Sequence, residues 1–372
     1  MAKDIAIVIP CYNRPVTLGG LLNSLLRAKY DRSVELVFSI DYSGSEDVSQ
    51  IAEHFVWPFG KKTIIRHTCK IGLRRNIICC GDLTQSHDAA IVLEDDLVVS
   101  PWFFIYASKA CDFYWDEERV GGISLYSYRF TENRHEFFPL TMGYDTYFMQ
   151  WTSSWGQLWT KKQWGGFKEW YGEHNQSLDE YHIPQFVKKW EESWKKYNIA
   201  YIVDTGRYYV YPQQSYTTMV PSEGTHATAD GSRPFQVPLC SGLQREFVFQ
   251  RFEGAIKYDS FFELYSQAIE LDGNKPQVSF NIYCQKQQDD IDGDFYVTSK
   301  RQHQQPIKTW SRNELPYEKN VLESLNGTGL YLYRKSDYQS NRLTVDEKIN
   351  MNVALSRKEQ IQISIKQFLK RF

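Results

Sequence analysis

Within its first hundred residues the chain alternates repeatedly between short apolar runs and helically spaced stretches, and this constrains the fold more than any other feature. The runs DIAIVIP (4–10), VELVFSID (34–41), KTIIRH (62–67) and AAIVLEDD (89–96) are short, apolar and bounded by polar residues, so they read as strands. Between them, VTLGGLLNSLLRA (16–28) spaces Leu18, Leu21, Leu22 and Leu25 at helical intervals. EDVSQIAEHF (46–55) and GLRRNIICCGDLTQS (72–86) also read as helices. Strand–helix repetition implies an α/β fold: a mostly parallel sheet with helices on both faces. In such sheets ligands bind beyond the carboxyl ends of the strands. Asn13, Arg14, Asp41 and the triplet Glu94, Asp95, Asp96 all stand at such ends.

After residue 101 the pattern loosens. PWFFIYASKACDFYWDEE (101–118) reads as a helix opened by a proline, and RVGGISLYSYRF (119–130) as a strand. MQWTSSWGQLW (149–159) and VKKWEESWKKY (187–197) are Trp-rich without strong periodicity. A polar loop spans 211–235, and a helix is expected around Ser241 to Glu270. Strands return at QVSFNIYC (277–284), DFYVTS (294–299) and GLYLYR (329–334), so a smaller α+β region is expected at the C-terminal end. A boundary is placed near residue 240, giving a domain over 1–240 and an accessory region over 241–372.

Three adjacent carboxylates repel one another, so the triplet needs an explanation. Acids often follow a strand because the chain leaves the core there. Here, however, apolar residues follow directly, and the position is the fourth strand end. A divalent cation makes such clustering favourable. Mn²⁺ and Mg²⁺ prefer oxygen ligands, and they take part of their coordination from substrate phosphates and water. A metal there would bridge a diphosphate and stabilise it as a leaving group. No glycine-rich phosphate loop follows the first strand. Lys70, Arg74 and Arg75 are therefore candidates to hold a diphosphate, with Lys70 and Arg74 spaced to share a helical face. The alternative for these cations is an ordinary solvated basic face.

The motifs IVIPCYNRP (7–15), KIGLRRN (70–76), VLEDDLVVSPWFF (92–104) and SSWGQLW (153–159) together resemble inverting glycosyltransferases of the nucleotide-diphospho-sugar (GT-A) fold. The likeness covers roughly residues 4 to 235. It extends to bacterial sugar transferases of polysaccharide assembly and to the animal N-acetylglucosaminyltransferase that starts complex N-glycans. The resemblance implies a nucleotide-binding half over 1–100 and an acceptor-binding half over 101–240. It implies that Asn13 and Arg14 contact the nucleotide, that Asp41 binds the uracil edge, and that Lys70 and Arg74 lie along the nucleotide. It implies Asp96 as a metal ligand, with Glu94 and Asp95 orienting ribose and donor sugar. SEGTHATADG (222–231) resembles the Gly-x-His segment of the bacterial relatives and nominates His226 for the metal or diphosphate. Here the usual Asn-Ile-Gly before that histidine is replaced by TTMVPSEG (217–224).

Inversion needs a carboxylate that accepts the acceptor hydroxyl's proton. Relatives place it beside a tryptophan at the start of a helix, which points to Glu191 and Glu192, with Glu192 preferred and Asp179 and Asp204 in reserve. The competing reading of both glutamates is an exposed helical turn paired with Lys195 or Lys196. Trp151, Trp155, Trp159, Trp190 and Trp194 either pack a core or stack on a sugar ring.

The expectation is thus a metal-dependent transferase moving a sugar from a UDP-sugar or similar donor to a glycan or lipid-linked acceptor in surface polysaccharide synthesis. The alternatives are a sugar nucleotidyltransferase, which would want a Gly-rich basic loop after the first strand, and a non-catalytic carbohydrate-binding protein, supported only by an aromatic content of 16%. A net charge of −2 offers no global attraction to nucleic acid. Seven cysteines without a CxxC pair suit reduced thiols in the cytoplasm. The N-terminus enters a strand with no signal peptide, and no run suits a spanning helix. In the terminal segment SRKEQIQISIKQFLKRF (356–372), Ile361, Ile365, Phe368, Leu369 and Phe372 share a helical face flanked by basic residues. That helix either docks on the protein's own body or makes peripheral contact with the inner face of an anionic membrane.

Overall fold

The computed structural model describes residues 3–174, 177–221, 233–242, 246–339, 343–351, 359–363 and 365. The chain forms two compact units, Met1–Ser127 with Thr141–Ser260 and Tyr128–Leu140 with Phe261–Phe372.

The first unit is built on a nine-stranded mixed sheet. Its strands are β1 (Ile5–Cys11), β2 (Leu36–Ile40), β3 (Lys62–Arg66), β4 (Ala89–Val92), β6 (Val120–Ser124), β7 (Thr146–Met149), β8 (Gln157–Thr160), β9 (Tyr208–Pro212) and β11 (Lys257–Tyr258). A two-stranded ribbon pairs β5 (Leu97–Val99) with β10 (Thr217–Met219). The order in the large sheet is β11-β7-β9-β6-β8-β4-β1-β2-β3. β1 runs parallel to both β2 and β4, and β2 parallel to β3. All seven residues of β1 are buried, as a central strand covered on both faces requires. The predicted helices appear as α1 (Pro15–Leu26), α2 (Asp47–His54), α3 (Gly72–Asp82) and α4 (Phe103–Phe113). Pro15 opens α1, where its missing N–H costs nothing, and Leu18, Leu21, Leu22 and Leu25 are its buried stripe. Further along come α5 (Lys161–Glu173), α6 (Gln185–Lys188) and α7 (Lys195–Asp204). Thr160 caps α5 with a capping box through Gln163. α3 meets α5 where Gly81 leaves room for the Trp164 indole; a Cβ there would lie 2.3 Å from the ring.

The helix expected around 241–270 is absent among the described residues of that stretch. Phe247 and Phe249 instead pack against Tyr106, with Phe249 also against Tyr114. Two aromatics at i and i+2 turned toward the same ring suit extended chain, and an α-helix separates such positions.

The second unit carries a five-stranded sheet of β12 (Gln267–Ala268), β13 (Gln277–Asn281), β14 (Phe295–Thr298), β15 (Lys308–Ser311) and β16 (Gly329–Arg334), in the order β12-β13-β14-β16-β15. Ile291, Tyr296 and Tyr333 form a core cluster within it. No helix of the described residues is long and apolar enough to cross a membrane. Of the predicted terminal helix, residues 359–363 and 365 are helical, with Ile361 and Ile365 exposed. Phe368, Leu369 and Phe372, on which the membrane expectation depends, lie outside the described residues.

Candidate active site

The parallel register of β2, β1 and β4 brings three strand ends side by side. Tyr12, Asn13 and Arg14 follow β1, Asp41 follows β2, and the acidic triplet follows β4 in the turn into β5. Arg14 reaches across to the triplet. One guanidinium nitrogen donates to Asp96 Oδ2 at 2.5 Å and lies 3.4 Å from Asp95 Oδ1. Asp95 Oδ2 also accepts from the Tyr12 N–H at 3.4 Å. The ribbon fixes the other side of the triplet, where the Val220 N–H donates to the Asp96 carbonyl at 2.8 Å. Asn13 is exposed at the rim.

One guanidinium faces three acids, and the imbalance shows in their protonation. Burial pushes the Glu94 carboxyl up to about 8, with repulsion from Asp96 adding to it and Arg14 opposing. Burial lifts Asp95 to about 6 against the pull of Arg14, and it lifts Asp96 as well. Asp96 Oδ1 is buried with no hydrogen-bond partner. A buried carboxylate held at one oxygen by arginine and bare at the other is oriented for a second cation. Among the described residues no three His, Cys, Asp or Glu side chains converge as a ready-made metal centre. The bare Oδ1 of Asp96 is the kind of single carboxylate oxygen that a cation such as Mn²⁺ or Mg²⁺ takes when phosphate and water oxygens complete its shell.

Asp41 is 4% exposed and caps α3. Its Oδ1 accepts from the N–H groups of Ile71 (2.8 Å) and Tyr42 (2.9 Å), and its Oδ2 from that of Gly72 (2.9 Å). This satisfies donors that a helix start leaves open. Asp41→Ala is expected to lower the stability of the protein by ~1–2 kcal/mol. A urea midpoint unchanged in that variant would show that the cap contributes nothing.

Lys70 and Arg74 do not share a helical face, because α3 begins only at Gly72, which has a φ of +80°. Lys70 is exposed, its ammonium 5.2 Å from the Tyr12 ring centre. Arg74 lies 5.2 Å from the Tyr197 ring, and its Nε is buried without a partner. Arg75 is exposed.

The loop from Gln150 to Gly156 joins β7 to β8. Trp151, Trp159 and Trp194 are buried at 0%, 0% and 2% exposure, so their place is the core. Trp155 and Trp190 are only partly covered. Glu191 and Glu192 lie in the turn before α7, not in a helix, and both are exposed. Glu192 has a left-handed φ of +40°, uncommon for a side chain with a Cβ. The expected partner Lys195 is buried beneath the tryptophans; Lys196 is close enough for its charge to feel Glu191. Of the reserves, Asp204 accepts from the Trp170 indole at 2.7 Å, and Asp179 is exposed beside Ser177. His226 lies outside the described residues. The Ser153 hydroxyl in the β7–β8 loop is buried without a partner, and the burial of Lys195 is not legible in the sequence. Nothing local distinguishes Lys195 from Lys188, Lys189 or Lys196.

Residues 6–150 match the family model described as glycosyl transferase family 2, a stretch that runs from β1 through β7 and includes the triplet. No curated protein matches the chain. Among solved structures it is similar to residues 1–349 of S. aureus TarS, at 12% identity over 57% of this chain and 59% of that one, with a TM-score of 0.37. It is similar to the mannosyltransferase PcManGT from Pyrobaculum calidifontis in complex with GDP-Man and Mn²⁺, at 13% identity over 61% and 59%, TM-score 0.38. A third is GalNAc-T7 with UDP, GalNAc and Mn²⁺, at 12% identity over 57% and 43%, TM-score 0.40. The chain thus spans less than two thirds of each of these structures.

Proposed function

We propose, from the match of residues 6–150 to the glycosyl transferase family 2 model, that this chain is a glycosyltransferase that moves a sugar, with inversion, from a nucleoside diphosphate to a hydroxyl of a glycan or lipid-linked acceptor. UDP is the favoured nucleotide, and surface polysaccharide synthesis at the cytoplasmic face of a membrane the favoured setting. The catalytic unit is assigned to residues 1–240. The observation that carries the reading is the buried triplet at the end of β4, with its single guanidinium and the bare Oδ1 of Asp96.

In this reading Asp96 holds Mn²⁺ or Mg²⁺, joined by His226, and Arg14 fixes the orientation of the Asp96 carboxylate. The metal, when bound, supplies charge neutralisation to the departing diphosphate. Lys70 and Arg74 add donors along that diphosphate, Asn13 and Arg14 contact the nucleotide, and Asp41 binds the uracil edge. Glu94 and Asp95 orient ribose and sugar. Glu192, or Glu191 beside it, takes the proton from the acceptor hydroxyl.

A thermal-shift screen of UDP-, GDP- and dTDP-sugars, with Mn²⁺ and with EDTA, tests the reading. A sugar nucleotide at 100 times its Kd is expected to add about 2.7 kcal/mol of stability with Mn²⁺, and to be slowly hydrolysed. If none stabilises the protein in either condition, the donor assignment is wrong.

A further inference from the structure

The turn that carries Glu191 and Glu192 is gripped on both of its sides by two consecutive residues of the β7–β8 loop. On the side before the glutamates, the rings of Trp151 and Trp190 meet edge to face, with centroids 6.1 Å apart. On the side after them, the Thr152 hydroxyl donates to Asn198 Oδ1 at 2.6 Å. The Asn198 N–H in turn donates to the carbonyl of Trp194, the residue before α7, at 3.3 Å. Trp151, Thr152 and Asn198 are each at 0% exposure, so both grips lie in the core. The two glutamates between them are exposed.

The sheet holds the grip from below. From β9, the Tyr211 hydroxyl donates to the Trp151 carbonyl at 2.9 Å. The Tyr209 hydroxyl, on the same strand, donates to Asn198 Oδ1 at 3.2 Å and accepts from the Trp159 indole at 2.6 Å. The Asn198 amide thus contributes its oxygen, which serves Thr152 and Tyr209 together, while its Nδ2 is buried without a partner. A non-glycine residue at positive φ costs stability and persists only where its surroundings over-determine it. Glu192, at a φ of +40°, is such a residue. Its own side chain is exposed, so the constraint comes from the flanking residues, Trp190 and Trp194, that the loop holds.

We propose that Trp151 and Thr152, acting through Trp190 and Asn198, are positioning residues for the proton acceptor. They hold the turn in the strained form that aims one of its glutamates at the acceptor hydroxyl. Neither touches the reacting atoms. A proton acceptor works only within hydrogen-bond reach of the proton it takes. A displacement of about 1 Å at a reacting group can cost ~100-fold in rate, even when its cause lies far from the chemistry. Loss of one grip leaves the sheet and α7 in place and frees the turn to shift. The role rests on the reading of Glu192 or Glu191 as the base, and the test separates the two.

A double-mutant cycle tests this on the hydrolysis of UDP-glucose, UDP-N-acetylglucosamine or GDP-mannose with Mn²⁺, using the one that the wild type hydrolyses fastest. Turnover is referred to the donor-binding stoichiometry from calorimetry, so that only folded protein counts. Thr152→Val keeps the side-chain shape, removes the hydroxyl and leaves Tyr209 to satisfy the Asn198 oxygen. It is expected to lower kcat ~10-fold while the donor Kd stays within about 2-fold. Thr152→Ser, which keeps the hydroxyl, should recover most of that loss. In the background of whichever of Glu192→Gln and Glu191→Gln has lost turnover, Thr152→Val should cost less than about 2-fold, because no base is left to misplace. Trp151→Phe, which draws the ring back from Trp190, is a second route should Thr152→Val fail to fold, and its loss should vanish in the same background. Equal loss in both backgrounds, a donor affinity that falls along with kcat, or no loss at all overturns the positioning role and leaves the base assignment standing. If both glutamine variants turn over at the wild-type rate, the base assignment falls and the positioning role with it. Wild-type protein that hydrolyses none of the three overturns the donor reading, and the positioning role falls with that.

Discussion

Asp96→Asn is expected to remove metal-dependent turnover, lowering kcat by roughly 1,000-fold, or about 4 kcal/mol of transition-state stabilisation. The residue combines two properties found together nowhere else in the triplet. Its Oδ2 is held by Arg14 at 2.5 Å, and its Oδ1 is buried and bare. Asparagine keeps the shape and still presents a carbonyl oxygen to Arg14, so the variant should fold. What it loses is the negative charge that draws a hard divalent cation away from water. Nucleotide affinity should then become insensitive to Mn²⁺, while in the wild type EDTA weakens it. Calorimetry of UDP binding with and without Mn²⁺, run beside turnover, measures both. A variant that keeps its Mn²⁺ response would show that the metal is held elsewhere, and wild-type turnover unaffected by EDTA would remove the metal from the mechanism.

The second large effect concerns the proton acceptor. In the proposed reading the triplet serves the donor and is engaged with Arg14, so the base is sought in the half assigned to the acceptor. Glu191 and Glu192 lie in an exposed turn at the entrance to α7, immediately before the buried Trp194 and Lys195. Glu192 takes a left-handed φ of +40°, and side chains of adjacent residues leave a backbone in different directions. Only one can meet the acceptor. The strained backbone keeps the preference with Glu192, because a non-glycine residue held in this region costs stability that function often explains. One of Glu191→Gln and Glu192→Gln is expected to lose ~100-fold or more in kcat while binding the sugar nucleotide normally. Neither should change stability by more than about 0.5 kcal/mol, because both side chains are exposed. If both variants turn over at the wild-type rate, the base is another residue, and Asp179 and Asp204 come next. Asp204 is the poorer of the two because its carboxylate already accepts from the Trp170 indole.

Where the controlling physics is local, the sequence was enough. The short apolar runs and the period-3.6 stretches of residues 4–96 reflect local burial and backbone geometry, so they marked β1 to β4 and α1 to α3 within a few residues. From a parallel arrangement of those strands it followed that the segments after β1, β2 and β4 share one edge, and Arg14, Asp95 and Asp96 do meet there. What decided the rest acts between residues far apart in the chain. The antiparallel β8 beside β4 is joined to it by no short turn that a pattern could mark. Asp41 caps a helix that begins some thirty residues later. Phe247 and Phe249 gave up a helix for the rings of Tyr106 and Tyr114, since tertiary burial outweighs a weak local propensity. Lys195 is one of four lysines in VKKWEESWKK (187–196), and only the packing of three distant or adjacent tryptophans makes it a buried cation. The sequence by itself determined which residue types stand at the strand ends; tertiary structure alone decided which of them are desolvated, because burial is a property of the neighbours and not of the residue.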